Sequence, residues 1–149
     1  MVNPFLQPSS KILIFSSFIF LTNFIFGLYK NEIIYSILFL FLTITSVSVH
    51  SYNNVIINII DKFVIFSIFC YDLYLIYYKV ILSNTDILSI SQTSKLIAIF
   101  SSLFFVLLMY IGGYFLNEFC FEPYEKNTEI YHILMHFVGS LGSIWILYL

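Results

Sequence analysis

The chain has 149 residues, 60% of them hydrophobic and 9% charged, with a formal net charge of −2. A soluble domain carries about a quarter charged residues, so a water-soluble protein of this size would lack the polar surface to cover its core; lipid is the solvent for most of this chain. Six lysines, no arginine and the absence of a basic or acidic run exclude a nucleic-acid-binding footprint.

Five apolar stretches are long enough to cross a bilayer, which takes about 20 residues. The first is Ile12 to Leu28. Its end, Gly27-Leu28-Tyr29-Lys30, is no small-residue cleavage site, so it reads as an anchor rather than a signal peptide. The second is Ile33 to His50. The third, Val55 to Ile81, is overlong and carries Asp61, Lys62 and Asp72; with no Gly or Pro to turn it, one tilted helix is expected. The fourth is Leu96 to Leu116 and the fifth Ile130 to Leu149. Backbone groups cannot stay unpaired in hydrocarbon, and the runs do not alternate as barrel strands would. The expected fold is therefore all-α, a polytopic transmembrane helical bundle of about five spans forming a single integral membrane domain over residues 1–149. The polar connections are Ser83 to Ser94 and Asn117 to Glu129. Lysine placement leans towards an N-terminus in a lumen or outside the cell.

Cys70 and Cys120 form no CxxC and read as small buried hydrophobes. The tyrosines at 71, 74, 77, 78, 110 and 114 read as interfacial belt and packing.

The polar residues inside the spans are patterned. Ser46 and His50 are four apart and share a helical face, which Ser36 and Thr43 extend. Asn54, Asn58 and Asp61 make a second stripe, with Asp72 three turns further on. His132 and His136 share a face on the last span, and Gly139 and Ser143 continue it with small residues that let another helix approach. Counting crossings puts His50, Asp61, His132 and His136 near one membrane surface, and the chain has only these three histidines.

Three neutral imidazoles can hold a catalytic zinc and leave a fourth position for water. The bound ion lowers the pKa of that water towards ~7. Asp61 suits a general base that later returns the proton, and Ser46 suits a donor to a substrate carbonyl or its oxyanion. Plainer readings exist for each residue. His50 reads equally as an interfacial histidine, His132 and His136 as interhelical glue, and Asp61 as the partner of Lys62, although Lys62 is expected to reach out to the membrane surface.

Ser46-x3-His50, Asp61 eleven residues later, and His132-x3-His136 on the terminal span together resemble the CREST superfamily of membrane hydrolases, which includes alkaline ceramidases, PAQR receptors and GPI-remodelling lipid hydrolases. The His50-to-Asp61 spacing is closest to the ceramidase branch. The resemblance implies Zn2+ on His50, His132 and His136, and a metal-activated water attacking a membrane lipid amide or ester. It also implies seven spans, so this chain would be a shortened member lacking two cavity-wall helices, most simply between Ile81 and Leu96; dimerisation is one way to complete the wall. Met135 stands where an aromatic residue often precedes the last histidine. Three functions are thus in play: a ceramidase-like lipid hydrolase, a non-catalytic receptor-like protein with zinc, and a structural helical membrane protein whose histidines need not converge.

Overall fold

The computed structural model describes residues 10–52, 54–82, 89–121 and 125–149. They form five helices and no strand among the described residues. We label them α1 (Lys11–Tyr29), α2 (Ile33–Ser51), α3 (Val55–Tyr77), α4 (Ile90–Leu116) and α5 (Glu125–Ile146). The fold is all-α. The helices α1, α2 and α4 are long and apolar enough to cross a membrane. At 23 and 22 residues, α3 and α5 are of similar length, but they hold most of the charged and imidazole groups of the spans.

Several boundaries differ from expectation. α4 starts six residues before Leu96, because Ser89 and Gln92 form a reciprocal capping box that satisfies two orphan backbone donors. α5 starts at Glu125, inside the stretch expected to be a polar connection. α3 continues without a break into a π-turn, Tyr78–Leu82, so the third stretch is one helix. Residues 83–88, where the missing wall helices were expected, lie outside the described residues. Asn54 caps α3 by accepting from the Ile56 and Ile57 amides, and Asn117 ends α4 in the left-handed region at φ 55°, which Asn tolerates well.

α1 is interrupted between Ser17 and Phe20. Ser16 and Ser17 both hydrogen-bond back to the Leu13 carbonyl, at 2.9 and 2.8 Å, and such back-bonding bends helices. The chain then passes through i→i+3 bonds, Phe18 to Phe15 and Ile19 to Ser16. This kink aims two hydroxyls into the bundle.

Packing follows the small residues. A Cβ at Gly27 would run into the Ser36 hydroxyl and the Tyr35 ring, so α1 and α2 meet there. Gly139 lies against Val106 and Gly142 against Ser102, which seats α4 on α5. Gly139 therefore belongs to the α4-facing side of α5, while His132, His136 and Ser140 face the interior. The main core comprises Phe20, Tyr35, Phe39, Leu42, Ile68, Leu75, Ile99, Ile146 and Leu147.

The interior of the bundle is mixed, about half polar, and its outer surface is apolar. Among the described residues, thirteen buried polar or charged side chains stand beside fourteen buried hydrophobic ones. Phe15, Phe63, Phe104 and Phe115 point outward and are largely exposed. In lipid this arrangement carries no hydrophobic penalty, and the interior polar groups hold the helices together. Cys70 lies on the exposed face, against expectation, whereas Cys120 is buried; burial pushes its thiol up to about 12, consistent with an inert packing role.

Candidate metal centre

The site is built at one end of the bundle. His50 is in the last turn of α2, and His132 and His136 face inward two to three turns into α5. Three contacts of Ser10 tie these elements together. Its hydroxyl caps α1 through the Leu13 amide, its own amide donates to the His50 carbonyl at 3.1 Å, and its hydroxyl bonds the Glu129 carboxylate one turn before His132.

The three histidines converge. Ring centroids are 5.2 Å apart for His50–His132, 5.6 Å for His50–His136 and 5.2 Å for His132–His136. All three are buried, and one ring nitrogen from each lies within 4.8 Å of the others. Nitrogens so spaced lie within about 2.8 Å of a common centre, a reach comparable to zinc–nitrogen bonds of about 2.1 Å once the rings close in slightly. Phe20 packs edge-on against His136 at 5.0 Å and floors the cluster.

Hydrogen bonding shows how the rings are held. His136 Nδ1 lies 2.9 Å from Ser16 Oγ, which also donates to the Leu13 carbonyl. Serine has one proton, so both contacts are hydrogen bonds only if His136 carries its proton on Nδ1, leaving Nε2 bare for a ligand. An outer hydroxyl that fixes the tautomer is what a ligating histidine needs. His50 Nδ1 and His132 Nδ1 are buried with no hydrogen-bond partner. Buried polar atoms are nearly always satisfied, so two orphaned imidazole nitrogens beside a third ring fit an ion that supplies the missing bonds. The donor set is three imidazoles with no thiolate, which suits zinc better than a hard, oxygen-seeking cation.

Asp61 is buried on α3. It accepts from the Thr45 hydroxyl at 2.9 Å and from Lys62 Nζ at 3.1 Å. Lys62 therefore does not reach out to the membrane surface as expected; it folds back, because a buried carboxylate otherwise lacks a counter-charge, and it lies over the Tyr110 ring at 5.1 Å. Ser46 is buried 2.8 Å from Ser17 Oγ. Since Ser17 donates to the Leu13 carbonyl, Ser46 is the donor between them, and its proton is held by the protein rather than turned to a substrate. Met135 packs against the cluster of Met109, Cys120 and Phe121, which explains an aliphatic side chain at that position.

Sequence reasoning missed Ser10, Ser16, Ser17, Thr45 and Glu129. The pair Ser16-Ser17 within an apolar run, at the same end as His50, was the available signal. Asp72 accepts from Ser143 at 2.7 Å.

No protein-family model, curated protein or solved structure matches the chain.

Proposed function

We propose that this protein is a zinc-dependent integral membrane lipid hydrolase, ceramidase-like in the manner of the CREST superfamily its motifs resemble. The observation that carries the reading is the convergence of His50, His132 and His136 inside the bundle, with two orphaned buried nitrogens. Zinc held there would supply a Lewis acid and a water of lowered pKa. The chain supplies the rest. Thr45 and Lys62 hold Asp61 in one orientation, where its carboxylate takes up a proton and returns it to a leaving amine. Ser16 keeps His136 in its ligating tautomer. Ser46 braces the α2–α1 contact and turns towards a substrate carbonyl only by releasing Ser17. The outward apolar surface suits the protein to the bilayer, where lipid amides and esters are found.

A second reading is favoured by the engagement of Asp61 and Ser46 in protein contacts: a receptor-like or structural protein in which zinc only joins α2 to α5. The two are separated by Asp61→Asn in detergent-purified, zinc-loaded protein assayed on a panel of lipid amides and esters. The hydrolase reading expects turnover to vanish while zinc stays bound. Wild-type protein with a full complement of zinc and no turnover on any member of the panel favours the second reading.

A further inference from the structure

The ion pair beside the histidines has a chemistry of its own. Lys62 sits one residue after Asp61, which turns its side chain about 100° around α3, yet the ammonium returns to within 3.1 Å of Asp61 Oδ2. Asp61 is almost fully covered, while a quarter of the Lys62 side chain remains accessible. Tyr110, itself edge-on to Phe121 at 5.3 Å, backs the ammonium at 5.1 Å. Asp61, which the ammonium holds, accepts in turn from Thr45, five residues before His50 on α2.

An ammonium has three N–H donors. Asp61 takes one and Tyr110 at most a second, so at least one N–H is left over for another acceptor. Asp61 and Lys62 cancel each other and the imidazoles are neutral; the Glu129 carboxylate near His132 is held by the Ser10 hydroxyl, and a divalent cation on the histidines would add two positive charges. A lysine kept only to neutralise Asp61 would be best covered along with it, and this one is not.

We propose that Lys62 is a specificity residue that receives a carboxylate on the head group of the lipid substrate, making the preferred ligand an acidic N-acyl lipid rather than a neutral one. This rests on the lipid-hydrolase reading for its substrate class. One ammonium with a donor to spare matches a single negative charge, and a charge-assisted hydrogen bond away from bulk water favours the acid by about tenfold or more.

The test is binding, with two lipids that share an acyl chain and an amide and differ only in the head group: N-oleoylglycine, a carboxylate, and N-oleoylethanolamine, a neutral alcohol. Affinity for each is measured by titration calorimetry in detergent, with zinc content determined on the same samples. Wild-type protein is expected to bind N-oleoylglycine at least about tenfold more tightly. Lys62→Gln should level the two affinities and Lys62→Arg should keep the preference. If Lys62→Gln does not fold, the Asp61→Asn/Lys62→Gln double variant, which removes both charges together, carries the same expectation. Equal affinities in wild-type protein, or a preference that survives loss of the Lys62 charge, overturns the assignment. A full complement of zinc with no carboxylate preference ends this proposal and leaves the hydrolase reading standing. A carboxylate preference without any zinc does the reverse.

Discussion

The two halves of the bundle solve the same problem in different ways. In the half away from the histidines, Asn23 donates to the Tyr35 hydroxyl at 2.9 Å and to the Ser140 carbonyl at 3.0 Å, and the Ser140 hydroxyl returns a bond to Asn23. All three side chains are essentially inaccessible. Their polar groups are answered by one another, as interhelical glue in lipid should be. Asp72 lies in the same half with Ser143 as its donor, and its orphaned Oδ1 is a single oxygen on which no cluster of ligand groups converges among the described residues. In the histidine half, three rings from two helices gather around one point and two of their nitrogens have no partner. A polar network that closes on itself is structural; a buried cluster of three imidazoles with two unanswered nitrogens is shaped for something else.

That contrast can be broken by mutation. The largest effect is expected for His132→Ala, which should take zinc from about one equivalent per chain to background, since two imidazoles rarely suffice for a tetrahedral site; elemental analysis of the purified variant checks this. Asn23→Leu should leave zinc untouched yet lower stability by about 2 kcal/mol, because it strands Tyr35 and Ser140; denaturant titration in detergent measures it. A loss of zinc in Asn23→Leu would mean that the two halves are not separable. Ser16→Ala should weaken zinc binding by about tenfold without changing its stoichiometry, the usual scale for an outer partner of a ligating histidine; competition with a chromophoric chelator reads this directly. Ser143→Ala is the smallest change, about 0.6 kcal/mol of stability, with no effect on zinc.

The sequence made the helices and the histidines legible for physical reasons. Apolar runs bounded by short polar segments are a strong signal because lipid leaves the backbone little choice but a helix. The i, i+4 pair His132/His136 and the Ser46/His50 pair declare a face without tertiary information, and a count of crossings was enough to bring them to one end. What could not be read was set by packing. The kink at Ser17–Phe20 depends on two hydroxyls choosing the Leu13 carbonyl over other partners. The return of Lys62 to Asp61 depends on Tyr110 lying against the ammonium, whereas local geometry alone pointed the lysine outward. Ser46 was legible as a site residue but not as a donor already committed to Ser17. Asn23 went unremarked although a lone Asn in an apolar run needs a partner, and its partners lie 12 and 117 residues away in sequence.

The most direct measurement is zinc-edge X-ray absorption on folded, detergent-purified protein equilibrated with one equivalent of zinc. A shell of three imidazole nitrogens and one oxygen at about 2.0–2.1 Å is the expected result. Zinc that fails to bind, or binds with no imidazole scattering, would contradict a metal centre at His50, His132 and His136.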